Sequence, residues 1–226
     1  MARIQEQDYR EYIYFKQLGF SIARDLTRTP EGFISDLDLY EIQEELKSGH
    51  YVPSLKQLNQ AFEFLWKSSF REVAVHMLRT LERSSDLLSV PSGNGDHLPY
   101  TEPRIREEYP VLIRRHDIEM RGNKHIIKIR EKIELPNFPR KSGRIKYDIE
   151  ELGIEKGTYI FVDGINEKLG SMKNLLCGSM SINPENRYVL ANFSPWYKNE
   201  RLGFRLCSNK PTDNVVIRVP TLDDYS

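Results

Sequence analysis

Most of the side chains in this sequence that could do chemistry are scattered. The five histidines, His50, His76, His97, His116 and His125, form no HxH or HExxH arrangement of the kind that holds a metal. Cys177 and Cys207 lie too far apart for a CxxC redox or zinc signature and are too few for a disulfide framework, so both read as buried free thiols. No GxSxG elbow or GxxxxGK phosphate loop occurs, and Ser92 to Gly95 reads as a flexible turn rather than a phosphate cradle. Glu44 and Glu45 fall on the predicted solvent face of a helix, where acid–base work is not expected. These observations predict no catalytic residue, no metal site, no cofactor and no enzyme.

One segment stands apart. In INPENRYVLANFSPWYKNERLGFRLC, residues 182–207, aromatics alternate with small polar residues and arginines. Tyr188, Trp196 and Tyr197 offer large contact areas at low rotamer cost, while Asn192, Ser194 and Asn199 offer adaptable hydrogen bonds, a mixture favoured by antibody paratopes. With Arg201 these residues make a candidate ligand-binding face. Val189, Leu190, Leu202, Phe204 and Leu206 would be the buried framework beneath it, with Gly203 allowing close backbone approach. The competing reading has the aromatics filling a core while the polar residues solvate a loop.

A second pattern is basic. Arg114 to His116, with Lys124, Lys128, Arg130 and Lys132, could give one strand face a positive field, because alternation sets Lys128, Arg130 and Lys132 opposite Ile127, Ile129 and Ile133. Glu131 and Glu134 interrupt it, which favours an ordinary solvated face over a nucleic-acid surface.

The elements that must position these residues change character once along the chain. From Ser35 to about Leu88 the period is helical. SDLDLYEIQEELKSG places Leu39, Ile42 and Leu46 on one face and stops at Gly49; Ser54 and Gln57 have capping-box spacing before the stripe Leu55, Leu58, Ala61, Phe62, Leu65. Ser69 and Glu72 repeat the cap signal ahead of Val73, Met77 and Leu81. After the breaker-rich residues 90–103, VLIRRHDIEM and HIIKIREKIEL read as strands joined by a hairpin turn at Gly122-Asn123. GTYIFVDG reads as a core strand and NVVIRVP as an edge strand closed by Pro220.

Composition sets the outer bounds. With 226 residues and 39% hydrophobic content the chain can bury a sizeable core, and 33 basic residues balance 33 acidic ones, so no global field points to nucleic acid or an acidic membrane. The first twenty residues contain early charge and no continuous apolar run, so no signal peptide or membrane span is expected. A soluble protein follows as the expectation, cytoplasmic or displayed on a virion or cell surface through another component.

Two stretches carry a resemblance. Gly178-Ser179, Pro184-Glu185-Asn186 and Leu202-Gly203-Phe204-Arg205-Leu206, in that order, resemble the C-terminal region of the formylglycine-generating-enzyme branch of the C-type lectin fold. Upstream, DLYEIQEELKSGHYVPSLKQLNQAF is similar to that family's helix, short strand and turn, and next helix, with Val52-Pro53-Ser54 at the turn. The resemblance implies one α+β domain over 1–226, with two or three helices on a mixed, mostly antiparallel sheet and an inserted β-hairpin at about 104–135. It offers two functions. The oxidases of the family use closely spaced C-terminal cysteines; here Cys177 and Cys207 flank the segment and Met180 stands where the family has Trp. The variable proteins of diversity-generating retroelements are ligand binders whose hypervariable C-terminal run closes on Leu-Gly-Phe-Arg-Leu, as residues 188–207 do here. The resemblance therefore implies a protein that binds a protein or surface ligand. A formylglycine-generating-type oxidase and a nucleic-acid binder using the basic hairpin are the alternatives.

Overall fold

The computed structural model describes residues 11–27, 37–89, 101–102, 109–138, 143–146, 159–162, 175–181, 188–193, 202–213 and 215–216. Among them are three helices and two sheets, an α+β arrangement in which antiparallel strand pairs outnumber parallel ones.

The smaller sheet brings the two ends of the described chain together. Strands β1 (Tyr12–Phe15) and β2 (Phe20–Ala23) form a hairpin whose turn needs Gly19 at φ 72°, a left-handed conformation that glycine adopts without strain. Far along the chain, β13 (Cys207–Ser208) inserts between β2 and β3 (His50–Tyr51), and β14 (Val215–Val216) adds in parallel to the free side of β1. The expected edge strand is thus present over Val215–Val216.

The larger sheet has the order β5 (Thr101–Glu102), β7 (Lys124–Glu134), β6 (Val111–Arg121), β4 (Leu81–Ser89), β10 (Leu175–Ser181), β11 (Tyr188–Phe193), β9 (Tyr159–Val162), β8 (Gly143–Lys146). β10 runs along one edge of β4. The other edge is shared: β6 pairs with Leu87 to Ser89, and the short parallel strand β12 (Leu202–Phe204) pairs with Leu81 to Arg83. The β6–β7 hairpin turns at Gly122-Asn123 as its sequence predicts, with Gly122 at φ 58°. It is a working part of the sheet rather than an appendage, since Val111, Leu112 and Ile113 are buried and pair with β4.

Apolar burial covers both faces of this sheet. Neighbouring residues on β4 and β6 point to opposite sides, so Leu88 and Leu112 join one cluster while Leu87, Val111 and Ile113 join another. Helices α2 (Leu55–Trp66) and α3 (Arg71–Arg79) fill the first with Leu55, Leu58, Ala61, Phe62, Leu65, Val73, Ala74 and Met77. Helix α1 (Leu39–Glu45) serves the second with Leu39 and Ile42, beside Phe204 and Leu206. The capping box predicted for α2 is formed: Ser54 Oγ accepts from the Gln57 backbone N–H at 3.2 Å, and Gln57 Oε1 accepts from the Ser54 N–H at 3.0 Å.

Three sequence expectations need correction. Helical structure does not continue to Leu88, because residues 81–89 form β4; Glu82, Arg83, Ser84 and Asp86 are buried there, so hydrophobic periodicity cannot reveal a strand. Helix α1 starts at Leu39 behind an Asp38–Glu41 capping box and ends by Leu46, which is extended at ψ 130°; Gly49, at φ 84°, serves the turn from Lys47 to His50 instead of closing the helix. Helix α3 follows Phe70 with no side-chain cap, and Ser68 rather than Ser69 braces its approach, accepting from the Phe70 N–H at 3.0 Å. Phe204, on β12, which pairs with β4, and Leu206, beyond that strand, are both fully buried in one cluster.

Candidate functional site

The predicted binding face falls largely outside the described residues: Ser194, Trp196, Tyr197, Asn199 and Arg201 all do. Tyr188 and Asn192 are on β11, an internal strand between β10 and β9, with Tyr188 in register with Ser181 and Tyr159. Between Cys177 and Ser179 the β10–β11 register shifts, so β11 carries a bulge between Leu190 and Phe193. The segment's C-terminal end is fixed very firmly. Arg205 is wholly buried, and its Nε donates to both carboxylate oxygens of buried Glu82 at 2.9 Å. Its Nη1 donates to the carbonyls of Ala23, at 3.1 Å, and of Arg24, and its Nη2 lies 3.0 Å from His76 Nδ1. Because a guanidinium only donates, that histidine nitrogen must accept. One side chain therefore joins β2, β4 and α3 immediately after the candidate segment.

A second candidate site is a cleft of about 790 Å³ that opens between α1, the Val52–Ser54 turn and the β6–β7 hairpin. Its apolar wall is Leu39, Ile42, Leu46 and Val52; its polar wall includes Arg114, Arg115, His116, Asp117, Arg130 and Glu131. Four consecutive hairpin residues reach one cleft because the alternation is broken there. The ladder steps from Ile113↔Lys132 to Arg115↔Glu131 and then to His116↔Ile129, which leaves Arg114 as the extra residue of β6 and Arg130 as the extra residue of β7. Paired bulges of this kind turn side chains out of the pleat and are common beside functional sites.

The polar groups of the cleft differ in how well they are satisfied. Gln43 is fully used, donating to the Ile118 carbonyl at 3.1 Å and accepting from its N–H at 2.9 Å, which fastens α1 to the hairpin. Gln57 Nε2 donates to the Tyr51 hydroxyl at 3.0 Å, and burial pushes that phenol up to about 12. Arg114 Nη2 and His116 Nδ1, by contrast, are buried with no hydrogen-bond partner among the described residues. Burial pushes the His116 imidazole down to about 4, so it is neutral at pH 7. Beneath, Asp86 Oδ2 accepts from the Leu55 N–H at 2.7 Å, at the start of α2. Burial raises this carboxyl to about 6, against the pull of the Leu55 bond and of Arg114.

The basic hairpin carries its own acids. Arg130 meets Asp117 at 2.7 Å, Lys128 contacts Glu119, Lys132 is 3.7 Å from Glu134, and Arg121 binds Glu102 through both guanidinium nitrogens. The two cysteines are on different sheets, Cys177 on β10 and Cys207 on β13. Cys207 is free and buried, and burial pushes its thiol well above the ordinary range. Among the described residues no group of three or more His, Cys, Asp or Glu is placed to hold a metal, and no helix is long and apolar enough to cross a membrane.

Sequence reasoning missed Glu82 and Asp86, which lie in the stretch read as helix, and it noted Arg114 and His116 only as part of a basic run. Opposite bulges leave no mark on residue type, so the cleft had no sequence signal beyond Arg-Arg-His itself. Compared with known protein families, curated proteins and solved structures, the chain matches none.

Proposed function

We propose that this is a ligand-binding protein on a scaffold of the C-type lectin type, related in design to the variable proteins of diversity-generating retroelements and presenting Tyr188, Asn192, Ser194, Trp196, Tyr197, Asn199 and Arg201 to a protein or surface ligand. The observation that carries this reading is the Arg205 clamp. Leu-Gly-Phe-Arg-Leu closes the candidate segment, and its Phe204, Arg205 and Leu206 are each 0% exposed, with Arg205 bonded to Glu82, Ala23 and Arg24. An anchor of this kind holds the end of the segment without any contribution from the residues at which sequence change is proposed, and binding residues are commonly carried on segments positioned by a rigid scaffold. Pairing of β1 with β14, which brings early and late described residues onto one sheet, also supports the scaffold reading. The ion pairs of the hairpin leave little free positive charge for a phosphate backbone, which favours a protein or surface ligand over nucleic acid.

Oxidative footprinting of the folded protein tests the reading directly. Trp196 and Tyr197 are expected to label readily while Tyr12, 2% exposed, stays protected. The double swap Tyr197→Ser with Asn199→Tyr is expected to move stability by no more than about 0.5 kcal/mol per site. Protection of both aromatics at the level of Tyr12, with unfolding of the swapped protein, would make the segment core and end the proposal. A neighbouring reverse transcriptase with a template repeat matching the codons of residues 188–205 is the genomic counterpart.

A further inference from the structure

The cleft beside α1 stands on its own observations. It joins an apolar wall to a polar one, has a volume within the range of small-molecule sites, and is lined by both residues that the paired bulges expel, Arg114 and Arg130. Such bulges weaken a ladder and need a compensating use. Arg130 has one close by in Asp117, at 2.7 Å. Arg114 lies within electrostatic reach of the buried Asp86 carboxyl, yet its Nη2 is buried without a hydrogen-bond partner among the described residues, a state that costs more for a charged donor than for a neutral one. The next unpartnered atom is His116 Nδ1, two residues along on the same wall.

Charge narrows the ligand. Of the lining residues, Arg114, Arg115 and Arg130 stand against Asp117 and Glu131, and the buried Asp86 carboxyl, within electrostatic reach of Arg114, brings the charges to balance. That balance suits a single negative group better than a phosphate dianion, and guanidinium and carboxylate match in fork geometry. On the facing wall Leu39, Ile42, Leu46 and Val52 offer apolar surface and no charge. We propose that this cleft binds a small amphipathic monocarboxylate, its carboxylate on the Arg114 guanidinium beside His116 and its apolar body against Leu39, Ile42 and Leu46.

The test uses phenylbutyrate and its neutral amide as probes of the full chain, read by calorimetry and by chemical-shift changes. Phenylbutyrate is expected to bind, and phenylbutyramide to bind at least about tenfold more weakly, the difference a charge-assisted hydrogen bond makes. Arg114→Gln, shown folded by its far-ultraviolet spectrum and melting curve, is expected to abolish the preference for acid over amide. Leu46→Asp, at a partly buried residue of the apolar wall, should weaken phenylbutyrate by a similar factor, while inorganic phosphate should leave the spectrum of the wild-type protein unmoved. Equal binding of acid and amide to the wild-type protein, an unchanged preference in Arg114→Gln, or no binding of either probe would each overturn the proposal. The first and third outcomes need no variant, so a misfolded mutant cannot protect it.

Discussion

Two arginines in this protein, Arg205 wholly buried and Arg114 half-buried, are treated in opposite ways. Arg205 sends Nε to Glu82, Nη1 to two carbonyls and Nη2 to His76, so that every arm of its guanidinium meets an acceptor. Arg114, which lines a cleft, leaves Nη2 without a hydrogen-bond partner among the described residues. A buried charge that is paired and hydrogen-bonded fixes structure, whereas one left short of partners is an unfinished site that a ligand can complete. Sequence separation sharpens the contrast: Arg205 reaches Glu82 across 123 positions and so closes the fold, while the bulge at Arg114 is a local distortion of one hairpin.

The largest effect expected from this contrast is at the satisfied arginine. Arg205→Leu strands the Glu82 carboxylate in the interior, and loss of one partner of a buried pair costs about 3–5 kcal/mol. Urea melts should show it, and a loss below about 1 kcal/mol would mean the pair is not the clamp described here. The double variant Arg205→Leu with Glu82→Leu should recover part of the loss, since it leaves no lone charge.

A smaller effect concerns pH under the cleft. Asp86, raised by burial to about 6 in the fold, is held there more readily protonated than in the unfolded chain, so its contribution to stability grows as pH falls from about 6 toward the ordinary carboxyl value of 3.8. His116, lowered to about 4, acts in the other direction: the unfolded chain takes up its proton first, and stability is lost as pH falls from 6.5 to about 4. The two offset each other between pH 4 and 6. Asp86→Asn removes one side of the balance, so the variant should lose stability relative to the wild-type protein as pH is lowered through that window, by on the order of 2 kcal/mol. His116→Gln should do the reverse. Parallel stability–pH curves for wild type and both variants would show that neither group is buried as described.

The smallest effect is expected on the hairpin surface. Arg130 is exposed, and its pair with Asp117 is the kind that contributes about 0–1 kcal/mol. Arg130→Ser should therefore change melting little, and any loss should shrink in high salt.

Legibility in the sequence followed the same division between apolar and polar burial. Helix α2 was readable in full because Ser54 and Gln57 mark its start and all five residues of its stripe are buried. The β6–β7 hairpin was readable because Gly122-Asn123 demands one turn geometry. Strand β4 was not, since the interior it enters is occupied by Glu82, Arg83, Ser84 and Asp86, and a pattern of polar residues gives no sign that it is buried. With β4 misread, neither the partner of Arg205 nor the carboxyl beneath the cleft could be seen. The α+β class survived that error because the helices and hairpins around β4 carry ordinary apolar periodicity.

The contrast between the arginines is tested most directly by unfolding Arg114→Leu in urea at pH 7 beside Arg205→Leu. Removing a guanidinium whose Nη2 has no hydrogen-bond partner among the described residues should leave stability within about 1 kcal/mol of the wild-type protein, or raise it, while the Arg205 variant loses several times as much. Equal losses in the two variants would contradict the account, for they would make Arg114 as much a structural clamp as Arg205.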